Sequence, residues 1–271
     1  MIPKHNLKNI IRSSVLTASM LTFAYVAKSD DIFKGVKGPT NWQADLRENY
    51  AQKRDSKGVS TITTINNDLL KYWSGDNIGL FAFVNIPLYK TADNEITNSA
   101  GFGDLAFGAG PRGKISMGSY STSFLSYLGM TIPTAKSDSK PALGNDRTDL
   151  KAGIYTTTLN VDKSLECDVS FEYTSAGKNS KGAKGLDEIA AGAILGARLT
   201  EDNLLRVGLG VTSKYKVNPI NGWDHVYAPR AVIRITPTDM NWHVELIEDH
   251  DTATKNMPKG YSGTLVFRLN L

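Results

Sequence analysis

Acidic and basic side chains recur at every second position in several segments of the second half of the chain. Glu166, Asp168 and Glu172 alternate with apolar residues, and the same spacing places further charges in the segments that follow: Arg198, Arg206, Arg230, Arg234, His243, Glu245 and Arg268. A strand directs alternate side chains to opposite faces, so these groups share one face. Carboxylates and guanidinium groups on one face pair with each other or orient a polar solute. We predict that they line a common interior, together with Lys151.

The sequence contains no convincing arrangement of catalytic residues. His225 and His250 lie at strand or loop ends, His5 lies in the N-terminal segment, and no serine is placed convincingly beside a histidine on an outer face. The sequence GYSG at 260–263 lacks the Gly-x-Ser-x-Gly pattern of a nucleophile elbow. There is no His/Cys cluster for zinc and no EF-hand spacing. We therefore predict no catalytic residue, no metal and no cofactor.

The elements that must position these charges are strands. The pattern of alternating residues predicts twelve of them, with one whose facing is ambiguous near 59–73; the others are 42–50, 78–88, 105–109, 124–132, 150–158, 165–173, 189–199, 205–211, 227–235, 242–246 and 261–271. Ala and Leu in 187–199 would also suit a helix. Gly192, Gly196 and the sustained alternation favour a strand.

The predicted connections distinguish a barrel from a sandwich. Every second connection has two to five residues, as at 74–76, 161–162 and 236–239, and the others have seven to fifteen. Short periplasmic turns that alternate with longer outer loops are typical of a transmembrane barrel. We predict a closed antiparallel all-β barrel in a bacterial outer membrane, with both termini in the periplasm. A soluble sandwich or lipocalin-like barrel is the alternative.

The two ends of the chain fit this interpretation. Lys4, Lys8 and Arg12 precede an uncharged stretch, which predicts a signal peptide at 1–24, a polar lead-in at 25–40 and the barrel at 41–271. Without those three residues the 31 basic side chains become 28, against 27 acidic ones. The charge is then near +1, so nothing indicates a nucleic-acid partner. A single cysteine, Cys167, excludes an intramolecular disulfide.

The final segment suggests the partners of the barrel. Tyr261, Leu265, Phe267, Leu269 and Leu271 share one face of a strand that runs to the end of the chain. This strand resembles the closing strand that the barrel-assembly machinery recognises in outer-membrane proteins. We expect this machinery, the outer-membrane lipid and lipopolysaccharide, and a small-molecule solute to be the partners.

Antiparallel register predicts which interior residues face each other. A two-residue turn at 161–162 places Lys151 opposite Glu172, and a four-residue turn at 236–239 places Arg230 opposite Glu245 and Arg234 opposite Asn241. Two arrangements remain open for the interior charges. They form a polar ladder that fills the lumen, or the arginines form a positive wall that faces the acidic strand 165–174.

Two aromatic residues, Phe81 and Phe83, are predicted to face the same interior. Two neighbouring phenylalanines are unusual in an aqueous pore. They contact either an apolar or aromatic solute, or residues 28–40 of the lead-in.

Two stretches resemble a known family. The first is Val84-Asn-Ile-Pro-Leu-Tyr89 followed by Gly101-Phe-Gly-Asp104, and the second is Gly129-Met-Thr-Ile-Pro-Thr134 followed by Leu143-Gly-Asn-Asp146. They are similar to outer-membrane transporter-like proteins grouped with the meta-pathway of phenol degradation. The resemblance implies passive diffusion of small, often hydrophobic or aromatic solutes across the outer membrane. A lipid hydrolase of the phospholipase or lipid A deacylase type and a purely structural or adhesive barrel are the alternatives.

Overall fold

The chain folds into a sheet of long antiparallel strands. The structure is a computed structural model that describes residues 41–54, 60–74, 77–93, 97–135, 143–144, 146–200, 204–218, 222–236, 242–255, 257 and 259–270. Its strands are β1 Asn41–Arg54, β2 Ser60–Trp73, β3 Ile78–Asp93, β4 Asn98–Gly101, β5 Leu105–Met117, β6 Tyr120–Ile132, β7 Asp149–Asn160, β8 Leu165–Ser175, β9 Glu188–Arg198, β10 Leu205–Asn218, β11 Gly222–Ile235, β12 Trp242–His250, β13 Ala253–Lys255 and β14 Lys259–Asn270. The signal peptide and lead-in predicted at 1–24 and 25–40 lie outside the described residues.

The sheet closes on itself because the first strand pairs with the last. β1 and β14 are paired from Gln43↔Asn270 to Arg54↔Lys259, and every other strand pairs with its neighbours in chain order. β4 continues into β5, and β12 into β13, so the fourteen strands form twelve barrel strands. The predicted closed twelve-stranded barrel is confirmed, and so is the strand at 188–198.

Apolar and polar side chains are distributed in the opposite way from a soluble protein. Leu128 and Leu209 on the outside are 74% and 72% exposed, whereas Asp45 and His243 on the inside are 0% and 1% exposed. Lipid hydrocarbon accepts apolar side chains and disfavours charges, which explains this arrangement. The outward apolar band is that of a barrel in the outer membrane. No helix in the described part of the chain is long and apolar enough to cross a membrane.

The outer connections are less uniformly long than predicted. The strands extend into segments expected to be loops, so the gap between β1 and β2 is 55–59 and that between β10 and β11 is 219–221. The long outer connections are 133–148 and 176–187. The expected contrast in loop length therefore arises partly from hairpins that continue beyond the membrane.

One short turn differs from its prediction for a clear chemical reason. The connection from β7 to β8 is 161–164, not 161–162. Lys163 adopts a left-handed backbone with φ of 56°, and among the described non-glycine residues only Asp146, with φ of 53°, does the same. The N–H of Lys163 donates to the carbonyl of Asn160 at 2.9 Å. The Asn160 side chain accepts the N–H of Leu165 at 2.9 Å. These local bonds fix the longer turn.

The long outer connections are held together by side-chain caps. Gly177 donates its N–H to Asp149 at 3.0 Å, and Ser180 bonds to Asp146. Asp187 accepts the N–H of Ala176 at 2.9 Å, and this bond lowers the pKa of the Asp187 carboxyl. These bonds link the described parts of the two long outer connections to each other and to the end of β7.

We expect the purified protein to behave as a closed barrel on gels and in circular dichroism. Unheated samples should migrate differently from boiled ones, because a closed ladder of backbone hydrogen bonds resists detergent, and the spectrum should be that of β structure. A helical spectrum, or recovery as a soluble periplasmic monomer, would contradict the fold.

Candidate functional site

The charged residues of the inner face meet in clusters. One cluster surrounds Asp45 on β1, which is fully buried. Its carboxylate accepts bonds from Arg268 at 2.6 and 2.9 Å, from Lys71 at 2.8 Å and from Arg47 at 2.8 Å. The cluster therefore joins β14, β1 and β2 at the seam where the barrel closes.

A second cluster surrounds Glu166 on β8. Arg206 bonds to its carboxylate at 2.6 Å and Arg234 at 3.1 Å, and Arg234 also bonds to Glu245 at 2.7 Å. β9 lies between β8 and Arg206 and contributes Gly196 at this level, opposite Glu166. Because glycine has no side chain, it leaves room for the bond, and the Glu166 carboxylate joins β8 to β10 and β11 across β9.

The interior of the periplasmic end also holds a buried histidine. His243 on β12 lies directly across from Arg268, and neither ring nitrogen has a hydrogen-bond partner within the described protein. Nearby, Asp168 accepts a bond from Thr157 at 2.6 Å, and Arg198 lies across from Arg206 on the neighbouring strand. These residues complete a belt of charged groups near the periplasmic end.

The pair predicted between β7 and β8 forms in a different register. Lys151 lies across from Thr174, and Glu172 lies across from Gly153. The predicted register between β7 and β8 is therefore wrong by two residues, because the turn at 161–164 is longer than predicted. The ion pair forms diagonally, with 3.1 Å between Lys151 Nζ and Glu172 Oε1.

The pairs predicted between β11 and β12 are also wrong. Arg230 lies opposite Asp249, four residues beyond Glu245, and binds it with two bonds of 2.8 Å. Arg234 lies opposite Glu245, not Asn241, which is outside the described residues. The connection that follows β11 is longer than 236–239, which displaces the register.

The arginines do not form a separate positive wall. Arg206, Arg230, Arg234 and Arg268 each bind a carboxylate, so positive and negative groups are interleaved around the lumen. This is the polar-ladder arrangement. The ladder continues through neutral groups, since Asn49 donates to Asn67 at 2.7 Å and Asn67 donates to Asn85.

Two lysines near the outer end are more accessible than the charged side chains of the periplasmic belt. The charged side chains of the Asp45 and Glu166 clusters are at most 19% exposed, apart from Arg47 at 28%. Lys53 is 38% and Lys214 46% exposed, although they bind Asp251 and Glu188.

Next to the Asp45 cluster the wall of the lumen is aromatic, since Phe83 lies directly across from Lys71 on the neighbouring strand. Phe81 and Phe83 on β3 lie with ring centres 5.9 Å apart, and Phe83 meets the edge of Tyr127 at 5.0 Å. Tyr127 stacks on Tyr155 at 6.1 Å and donates its hydroxyl to Glu172. The four rings form a surface, the aromatic wall, that spans β3, β6 and β7.

The aromatic wall lies on glycines of the neighbouring strands. A Cβ at Gly108 would come within 2.8 Å of the Phe83 ring, and one at Gly153 within 2.3 Å of the Tyr127 ring. Only glycine leaves space for the rings to lie flat against the strand backbone. Sequence reasoning missed Tyr127 and Tyr155, although strict alternation along the predicted strands 124–132 and 150–158 places both on the inner face.

The two motif stretches meet at the outer end of the barrel. Asp104 accepts the N–H groups of Thr134 and Ala135 at 3.2 and 3.1 Å, and Thr134 donates its hydroxyl to the Gly103 carbonyl at 2.6 Å. A Cβ at Gly103 would lie 2.7 Å from Pro87. The Gly-x-Gly-Asp and Ile-Pro-Thr segments thus form one packed junction.

Residues 45–265 match the family described as "Putative MetA-pathway of phenol degradation". The chain belongs to this family. Among solved structures, an outer membrane channel of Pseudomonas putida F1 is 13% identical with a TM-score of 0.66, covering 90% of this chain and 100% of that chain. The translocator domain of the autotransporter NalP from Neisseria meningitidis is 11% identical with a TM-score of 0.50, covering 97% of each. No curated protein matches the chain.

The two described histidines on the outer face have aromatic and basic neighbours. His225 contacts the rings of Tyr215 and Tyr227, and His250 lies across from Tyr261. A Ser–His pair needs the two side chains within hydrogen-bond reach, and the cross-strand neighbours here are tyrosines and Lys255.

We expect Asp45→Asn to destabilise the barrel strongly. Removing the carboxylate leaves the cations around it without compensation, and breaking such a buried group costs about 3–5 kcal/mol. The temperature at which the folded band disappears on a gel should fall. Glu48→Gln changes a carboxylate on the opposite face of the same strand and is the matched control. Equal effects of the two variants would contradict a structural role for the Asp45 cluster.

Proposed function

We propose that this barrel is an outer-membrane channel through which small solutes diffuse passively, with hydrophobic or aromatic solutes favoured. The observation that carries the proposal is the division of the lumen into an aromatic wall and an interleaved charged belt. Family membership supports it, since the family is described by phenol degradation. The fold shared with a Pseudomonas channel agrees with it.

The pairing of charges along the lumen supports passive diffusion. Arg230 with Asp249, about midway along the barrel, and Lys151 with Glu172, nearer the outer end, keep the lumen hydrated without a net field. Diffusion needs interactions weak enough for release, and paired charges bind a solute more weakly than free ones.

The aromatic wall supports the preference for aromatic solutes. Tyr155 is 38% exposed, so its ring is accessible from the lumen, whereas Phe81 and Tyr127 are 8% and 7% exposed. A flat solute stacks on the accessible ring and then moves along the wall. Contacts between aromatic rings stabilise such pairs by about 0.5–1.5 kcal/mol beyond the burial of area. Glu172, which accepts the Tyr127 hydroxyl, lies beside the wall and can orient a polar substituent of the solute.

Liposome uptake of paired solutes tests this function. The measured quantity is the ratio of uptake rates for an aromatic solute and a sugar of similar size, because widening the pore raises both rates. We expect Phe83→Ala and Tyr155→Ala to lower the ratio about threefold to tenfold, as lost ring contacts predict.

Two control variants separate aromatic contact from volume and from stability. Leu125→Ala removes an apolar side chain that register places directly across from Tyr155, and it should leave the ratio unchanged. Phe124→Ala removes a ring from the outer face and should also leave it unchanged. An unchanged ratio in Phe83→Ala and Tyr155→Ala would make the barrel a general pore. No uptake at all, with lipid hydrolysis in detergent, would instead support the hydrolase alternative.

A further inference from the structure

One cluster of the lumen carries more positive than negative charge. In the Asp45 cluster a single carboxylate binds three cations, which are Arg47, Lys71 and Arg268. Within the described part of the chain none of the three forms a salt bridge with a second carboxylate, so three positive charges face one negative charge. The Glu166 cluster, in contrast, matches two arginines with two glutamates. The excess of positive charge is therefore a local property of the Asp45 cluster.

Arg47 is the cation of this cluster that is most accessible from the lumen. Its side chain is 28% exposed, whereas those of Lys71 and Arg268 are 16% and 19% exposed. Its Nη2 donates to Asp45 at 2.8 Å, and its Nε has no hydrogen-bond partner within the described protein. An unpaired donor on a charged group is unfavourable in a protein interior. The guanidinium of Arg47 is thus held on one side and can still bind an acceptor.

Arg47 lies across the lumen from the end of the aromatic wall. β1 and β7 are on nearly opposite sides of the closed sheet, because β2, β3, β5 and β6 lie between them in the strand order. The charge of Arg47 on β1 nevertheless acts on the hydroxyl of Tyr155 on β7, so the two side chains approach each other across the lumen. The Tyr155 side chain is accessible, at 38% exposed. A solute that passes here contacts a cation on one side and an aromatic ring on the other.

The acidic residues on the Tyr155 side have cations of their own. Glu172 lies beside Tyr155 and forms a salt bridge of 3.1 Å with Lys151. Asp168, the next acidic residue of β8 toward the periplasm, lies with the Glu166 cluster, where the charge of Arg234 acts on it. The carboxylates opposite Arg47 therefore do not cancel the excess of positive charge around Asp45.

We propose that Arg47 and Tyr155 form a binding site in the lumen for aromatic solutes that carry a carboxylate, so that the channel favours aromatic carboxylates over neutral aromatic solutes of the same size. The inference rests on the proposed channel function and narrows its solute class. The carboxylate of the solute accepts charge-assisted hydrogen bonds from Arg47, while its ring stacks on Tyr155. Asp45 orients the guanidinium and offsets part of its charge, which keeps binding weak enough for release.

Uptake of benzoate and benzamide into liposomes that contain the full chain tests the proposal, because the two solutes share one shape and differ in charge. Uptake by protein-free liposomes is subtracted. We expect the wild type to take up benzoate about threefold to tenfold faster than benzamide, as one charge-assisted hydrogen bond predicts. Arg47→Gln should bring this ratio close to one, and Arg47→Lys, which keeps the charge, should retain a higher ratio than Arg47→Gln. A ratio near one in the wild type, or an unchanged ratio in Arg47→Gln, would overturn the site.

A matched control separates this site from the total charge of the lumen. Lys216→Gln removes one positive charge near the outer end, where Glu188 keeps Lys214 as a partner, and it should leave the ratio of benzoate to benzamide unchanged. An equal fall in Lys216→Gln and Arg47→Gln would overturn the site. The heat-dependent gel shift verifies that each variant is folded.

A sugar of similar size distinguishes failure of this site from failure of the proposed function. Faster uptake of benzamide than of the sugar, without a preference for benzoate, would overturn the site and leave the proposed function standing. A preference for benzoate over benzamide, without one for benzamide over the sugar, would contradict the proposed preference for aromatic solutes and would support Arg47 as an anion site.

Discussion

The whole structure depends on the absence of hydrogen-bond partners in lipid hydrocarbon. Every backbone N–H and C=O in the membrane must be paired within the protein, so a sheet can cross only if it closes. Here β1 and β14 pair along almost their full length. Asp45 lies at this seam and binds side chains from both neighbouring strands, so the closure involves side chains as well as backbone.

Closure also determines how the interior is filled. Each strand directs half of its side chains inward, and charges that avoid lipid accumulate there. Buried charges need partners, which come both from the neighbouring strand, as in the bond between Arg234 and Glu245, and from a strand farther along the sheet, as in the bond between Arg234 and Glu166. Where neighbouring strands contribute Gly108 and Gly153, aromatic rings occupy the space instead. A charged belt and an aromatic wall thus share one lumen, and this division is the basis of the proposed selectivity.

Strand identity and facing could be predicted wherever alternation is strong, as along 189–199 and 165–173. They could not be predicted for β2, where Leu69 and Leu70 are adjacent and hide the facing of Lys71 and Asn67. This ambiguity hid Lys71, the member of the Asp45 cluster that lies on β2. Exact register was also beyond the sequence, because it depends on local turn bonds such as those of Asn160. The inward positions of the charges were predictable. Of the predicted partners, Glu172 does bind Lys151, although diagonally, whereas Arg230 and Arg234 bind other residues than predicted.

The central claim is that the protein is a closed barrel with a hydrated lumen. It is tested most directly by labelling single cysteines along β7 with a membrane-impermeant maleimide. The measurement uses a Cys167→Ser background. Lys151→Cys and Tyr155→Cys face the lumen and should react in intact outer membranes, whereas Leu150→Cys and Ile154→Cys face lipid and should not. Equal reactivity at neighbouring positions, or protection of both lumen positions, would contradict the account.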